Sequence, residues 1–185
     1  YRAYRPQDFN EIYGQNHIAE VLKNAVKDST FSHAYLFCGP RGTGKTSAAR
    51  ILAKAINCEK QKDGNPDNTC NSCKTINESK SLDIIEIDAA SHTQVDNIRE
   101  VIIERAHFAP TNLKYKVYII DEAHMLSKSS FNALLKTLEE PPEHAVFVLA
   151  TTEVNKIPAT IISRCQRFDF KRINNQDLEK RLRHI

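Results

Sequence analysis

The chain reads as an α/β protein built on a parallel, three-layer sheet, and three observations carry that reading. A glycine loop, Gly39-Pro40-Arg41-Gly42-Thr43-Gly44-Lys45-Thr46-Ser47, joins a short apolar run to an alanine-rich helical run. Further apolar runs of strand length alternate with segments of helical periodicity. One of them, residues 145–150, is near-continuous and rich in β-branched side chains, as a strand buried on both faces must be.

Taken in order, residues 1–15 are polar and irregular, punctuated by Arg5-Pro6 and Tyr13-Gly14. Residues 17–28 place Ile18, Val21, Leu22, Ala25 and Val26 on one helical stripe. The first strand is 34–38, and the helix after the glycine loop covers 47–56. Residues 57–80 are hydrophilic and read as loop, with a turn at Gly64-Asn65-Pro66. A second strand at 83–88 leads to a helix over 94–107, with Val95, Ile98, Ile102 and Ala106 on its apolar face. The third strand is 116–121. Ser127 or Ser129 caps the next helix, which buries Phe131, Leu134, Leu135 and Leu138 and stops at Pro141-Pro142. After the fourth strand, 145–150, a short helical turn begins at Pro158 and a fifth strand covers 167–170. Asn175 is expected to cap a final helix carrying Leu178 and Leu182.

Bulk properties narrow the classes. At 185 residues with 41% apolar side chains, one α/β domain with a sizeable core is the expectation. A formal charge of +3 is too mild to mark a nucleic-acid surface by itself. No run of 18 apolar residues occurs, so no membrane-spanning helix is expected. The chain opens on Tyr1 with no signal peptide, which reads as a piece trimmed from a longer protein. Three of the five cysteines cluster in a hydrophilic stretch, the pattern of a metal clip in a reducing compartment.

The glycine loop satisfies G-x-x-x-x-G-K-[ST] between a strand and a helix, the context in which backbone N–H groups cradle phosphates. Gly39, Pro40, Arg41, Gly42, Thr43, Gly44, Lys45, Thr46 and Ser47 are therefore the predicted nucleotide-binding residues. Lys45 is placed to reach the β- and γ-phosphates and the Thr46 hydroxyl to hold Mg²⁺. The third strand ends in Asp121-Glu122-Ala123-His124, where Asp121 can hold the Mg²⁺ shell and Glu122 can orient or deprotonate water. Thr151-Thr152 ends the fourth strand with hydroxyls open to two readings, phosphate sensing or ordinary strand threonines. Arg164 in Ser163-Arg164-Cys165 is either a solvated surface charge or an arginine that serves a neighbouring subunit's nucleotide. Cys70-x-x-Cys73, with Cys58 upstream, has the spacing of a zinc-binding turn, whereas Cys38 and Cys165 sit beside apolar runs as packing residues.

Together, GPRGTGKTS, YIIDEAHMLSKSSFNALLKTLEEPP, VLATTE and Ser-Arg-Cys resemble the AAA+ clamp-loader ATPases, nearest the γ/τ family of bacterial DNA polymerase III. The likeness covers essentially the whole chain, including the opening Tyr-Arg-Pro and Tyr-Gly-Gln-Asn-His-Ile. It implies a P-loop NTPase (AAA+) fold with a central five-stranded parallel sheet over 1–174, a zinc-clip insertion at about 57–80, and the start of a helical lid domain at 175–185. It implies ATP hydrolysis in a cytoplasmic ring with δ and δ′ subunits and further copies of the chain, which opens a sliding clamp and loads it on primed DNA. In that setting Arg164 acts in trans, Thr152 senses the γ-phosphate, and Arg5, Pro6, Ile12, Tyr13 and Ile18 wall the adenine pocket. The family's clip has four cysteines; here the second falls on Asp67, which can still ligate zinc through oxygen beside Cys58, Cys70 and Cys73. Four protein ligands would make the zinc structural. Backbone contact with DNA is expected at the helix start Ser91-His92-Thr93-Gln94, with Arg99 one turn on.

Two alternatives remain at this stage. A helicase fits Asp-Glu-Ala-His but needs a second motor domain that 185 residues cannot hold. A non-hydrolysing assembly subunit is argued against by intact Lys45, Thr46, Asp121 and Glu122. Nothing resembles a nucleotidyl-transfer site with paired metal-binding carboxylates.

Overall fold

The computed structural model describes residues 5–91, 102 and 105–184, and among them the five expected strands form one parallel sheet. The strands are β1 (Ala34–Cys38), β2 (Ile84–Asp88), β3 (Lys116–Asp121), β4 (Ala145–Thr151) and β5 (Gln166–Asp169), in the order β2-β3-β4-β1-β5. β1 and β4 are buried at every residue, which explains why neither shows polar alternation in sequence.

Side chains along each strand alternate between two cores. Tyr35, Phe37, Val117, Ile119, Val146 and Val148 face one layer, with Ile18, Leu22, Ile51 and Leu52 from the helices on that side. Leu36, Tyr118, Ile120, Phe147 and Leu149 face the other, packed against Phe131, Leu134, Leu138 and Ile161. Each fully buried Leu or Phe contributes about 1.5–3 kcal/mol. The α-helices described end to end are α1 (Asn16–Lys27), α2 (Lys45–Asn57), α3 (Asn71–Asn77), α4 (Lys128–Glu139), α5 (Ala159–Ile162) and α6 (Asn175–His184). Ser127 caps α4 by accepting from the Ser130 N–H, which settles the choice between the two serines.

Two local expectations are corrected. The stretch 57–80 is not loop throughout, because α3 forms within it. Its start is fixed by polar contacts, the Cys70 sulfur accepting from the Cys73 N–H and Glu59 accepting from Ser72, so no apolar stripe announces it. The cap of α6 is Asn174, whose side chain accepts from the Asp177 N–H, and not Asn175. Of the helix expected over 94–107, the structure describes only residues 102 and 105–107, with Ile102 and Ala106 buried. His92, Thr93, Gln94 and Arg99 lie outside the described residues.

The base of β2 and β3 is held by Asp83, which is 1% exposed. Its carboxylate accepts from the N–H groups of Thr111, Asn112 and Leu113 at 2.7, 2.8 and 3.0 Å. Burial alone would raise its pKa, but the three donors outweigh burial and hold it below the usual carboxylate value. Asp83→Ala should therefore destabilise the domain by about 1–3 kcal/mol in urea unfolding, since it removes a buried carboxylate that three part-buried N–H groups share. A depressed native pKa adds stability above the unfolded value near 4 and loses it as pH falls through the native value. Acid titration should accordingly narrow the difference between wild type and variant as pH falls from about 4 through the lower native value.

Candidate nucleotide and metal sites

The carboxyl ends of β1, β3 and β4 meet at one edge of the sheet, where parallel α/β proteins place their ligands. β1 runs directly into the glycine loop. Gly39 has φ +147°, and a Cβ there would lie 2.4 Å from the Phe170 carbonyl oxygen, so no other residue fits. Its N–H donates to the Thr151 carbonyl at 3.1 Å, which ties the first loop residue to the tip of β4. At Gly42 and Gly44 an added Cβ would meet nothing within 4 Å, so that side of the loop is open. α2 begins immediately after, with its first-turn N–H groups at the loop. Lys45 is 6% exposed and its ammonium donates to the Gly39 and Pro40 carbonyls, both at 2.8 Å. Burial lowers its pKa, while the Glu122 and Asp121 carboxylates pull the other way.

The acid pair on β3 meets this loop. The Thr46 hydroxyl donates to Asp121 Oδ2 at 2.8 Å, bringing together residues 75 positions apart. This places the two predicted Mg²⁺ ligands side by side. Glu122 has φ +47°, a left-handed backbone that costs a non-glycine residue about 1–3 kcal/mol. Its carboxylate accepts from the Thr152 hydroxyl at 3.1 Å. Thr151 is fully buried, and its hydroxyl lies 3.1 Å from His124 Nδ1. The tip of β4 thus reaches both the phosphate loop and the acid pair.

Arg164 follows α5 and stands apart from this cluster. It is 34% exposed at its side chain, donates to Glu139 Oε1 at 2.6 Å and donates to the Thr160 carbonyl at 2.9 Å. Neither partner belongs to the phosphate loop.

The five residues expected to wall the base occupy different settings. Ile12 and Ile18 are buried in the core beside α2. Tyr13 is half-buried. Arg5 and Pro6 line a cleft of about 640 Å³ together with Ser47, Arg50, Lys54 and Glu86. A second cleft, about 470 Å³, lies between Pro40–Thr43 of the loop and Arg172, Ile173 and Leu178 at the start of α6.

The cysteine group converges as its spacing predicts. One ligand atom each from Cys58, Asp67, Cys70 and Cys73 lies within 4.8 Å of the other three. Cys58 and Cys70 sulfurs are 3.9 Å apart, close to the sulfur separation around a tetrahedral zinc. Burial works against ionisation of Asp67, but hydrogen bonds from the Cys70 thiol and N–H and from Thr69 hold it well below the ordinary carboxylate range. A carboxylate oxygen therefore stands beside the three sulfurs. The donor set, three sulfurs and one carboxylate, fits zinc.

This insertion is fastened to the rest of the molecule. Asn65 Oδ1 accepts from the Phe9 N–H at 3.1 Å, and Asp63 pairs with Lys23 and Lys27 at 3.3 and 2.6 Å. A Cβ on Gly64 would sit 2.1 Å from the Lys23 carbonyl, so backbone packs on backbone there. Lys54, 3% exposed, reaches from α2 to Gln7 Oε1 and Asn77 Oδ1, both at 2.9 Å. Sequence reasoning missed Lys54, Glu139 and His124. Only His124 carried a signal, as the last residue of Asp-Glu-Ala-His, and that tetrapeptide weighed only toward a helicase.

Residues 14–174 match the family described as DNA polymerase III, delta subunit. The chain is 60% identical over 185 residues to DNA polymerase III subunit tau of Bacillus subtilis, covering 100% of this chain and 33% of that protein. It is 48% identical over 184 residues to the Escherichia coli subunit tau, covering 100% of this chain and 28% of the other. Subunit gamma of Buchnera aphidicola is 50% identical over 184 residues, with 100% and 51% covered. The chain thus spans from about a quarter to about half of these relatives. Among solved structures, a gamma subunit-related protein of DNA polymerase III from Thermotoga maritima superposes with TM-score 0.61 at 23% identity, covering 85% of this chain and 46% of that one. The RuvB Holliday junction branch migration motor of the same organism gives TM-score 0.65 at 18% identity, with 97% and 53% covered. At those identities the likeness speaks for the fold.

Proposed function

The chain belongs to the DNA polymerase III delta-subunit family, where it sides with the tau and gamma subunits, and from that membership we propose that it is the ATP-hydrolysing motor region of a clamp loader. The observation that carries the reading is the Thr46–Asp121 contact, which joins the phosphate loop to the acid pair in one site. A non-hydrolysing scaffold has no need of that assembly.

In this reading the loop and the first turn of α2 bind the β- and γ-phosphates of ATP, with Lys45 supplying the positive charge. Thr46 and Asp121 would hold Mg²⁺, which would supply charge neutralisation to the β- and γ-phosphates. Glu122 orients the attacking water and accepts its proton. Thr152 carries the presence of the terminal phosphate to Glu122 through the hydrogen bond they share. Arg164 of one copy stabilises transition-state charge at the next copy's site, consistent with its exposure and with partners, Glu139 and Thr160, that lie outside the loop. The base is held by the 5–18 segment and the start of α6. The partners are δ and δ′ subunits, further copies of this chain, the sliding clamp and primed DNA gripped by its backbone, all in the cytoplasm. Reconstitution with δ, δ′ and clamp tests this: ATP turnover should rise on adding primed DNA, and a flat response would overturn the motor assignment.

Zinc at Cys58, Asp67, Cys70 and Cys73 is structural in this reading. Asp67→Ala should weaken zinc binding by at least the roughly 10–100-fold that loss of an outer-shell partner costs. Asp67→Cys should bind at least as tightly as wild type. Competition with a chromophoric chelator measures both, and equal affinity in Asp67→Ala and wild type would remove Asp67 from the ligand set.

A further inference from the structure

His124 has no role in the mechanism above, yet its surroundings are those of a functional group. It lies in the 3-10 turn Ala123–Met125 directly after the acid pair, with its side chain 7% exposed. Nδ1 is 3.1 Å from the Thr151 hydroxyl and 3.5 Å from Glu122 Oε2. Nε2 is 3.3 Å from Glu153 Oε1 on the opposite side of the ring. The Thr151 hydroxyl also accepts from the Glu153 N–H at 3.0 Å, and Glu153 pairs with Lys156 at 2.9 Å.

The ring therefore bridges the end of β3 to the end of β4. Glu122 Oε2 is the shared point: it accepts from Thr152 and faces His124 Nδ1. Glu122 has a left-handed backbone, and such strain persists only where neighbours over-determine it. Thr152 gives the carboxylate one hydrogen bond, and the buried ring, itself held by Thr151 and Glu153, stands 3.5 Å away as a second neighbour that limits its swing.

We propose that His124 is the positioning residue for Glu122, locking the glutamate to the β4 tip so that its stance follows the strand that carries Thr151 and Thr152. The proposal rests on the ATPase reading. The imidazole touches no phosphate and transfers no proton to substrate; it acts through Glu122.

The test uses the full-length chain in the reconstituted clamp loader with clamp and primed DNA. His124→Ala should lower kcat by about 10–100-fold, part of what a positioned base contributes, while ATP affinity stays within about twofold. His124→Asn, whose amide can reproduce the Nδ1 contact, should recover most of kcat. His124→Gln, whose amide reaches toward Glu153 instead, should not, and it stands in for the alanine variant should that fail to fold. Added to Glu122→Gln, His124→Ala should leave residual turnover within about twofold, because the residue acts through the missing carboxylate. Wild-type kcat in His124→Ala and His124→Gln overturns the proposal, as does an equal further loss in the Glu122→Gln background. If Glu122→Gln itself retains full turnover, the ATPase reading has failed; if only the His124 variants do, the positioning role alone has.

Discussion

Glu122→Gln will lower steady-state ATP turnover of the assembled complex by about 10²–10⁴-fold, the contribution of a positioned general base. Glutamine keeps the size and can still accept from the Thr152 hydroxyl, so the local packing around Glu122 is preserved. What it removes is the charge that attracts the water's proton. Nucleotide binding should survive, because Lys45, Thr46 and Asp121 keep their own contacts. Equilibrium binding of a fluorescent ATP analogue alongside phosphate release measures the split. Loss of binding in step with turnover would mean that Glu122 holds the nucleotide and does not activate water.

Arg164→Ala should cost about 10³-fold or more at each composite site, in the range found for arginines supplied in trans. The structure gives that residue two partners, Glu139 and the Thr160 carbonyl, both on the α4–α5 side and neither in the phosphate loop. An exposed ion pair of this kind is worth about 0–1 kcal/mol, so the arginine leaves Glu139 at little cost when a phosphate is presented. The isolated chain should turn over slowly and be unchanged by the substitution within about twofold, since the residue serves a neighbour. An equal loss in the isolated chain would show that Arg164 works in cis.

The sheet was legible because its signals are local. Runs such as Ala145–Thr151 bury every side chain, and a strand buried on both faces shows itself as an unbroken apolar stretch. The glycine loop was legible because its chemistry demands fixed spacing. α3 was not, since it is held by Cys70, Ser72 and Glu59 and no hydrophobic period marks it. His124 was not, because its meaning lies in Thr151 and Glu153, which reach it only after β3 and β4 pair. The misplaced cap at α6 has a smaller cause: Asn174 and Asn175 are adjacent, and only the hydrogen bond to the Asp177 N–H distinguishes them.

Residues 58–80 look, by composition, like a surface excursion that tolerates shortening or a fused tag. The contacts of Asn65, Gly64, Asp63 and Asn77 argue the reverse. Excising that segment would strand the Phe9 amide and take one of the two side-chain acceptors of the Lys54 ammonium, and the 3-10 turn at Phe9–Glu11 would lose its tie to the insertion. Protein engineers seeking a permissive splice point in this domain should look elsewhere.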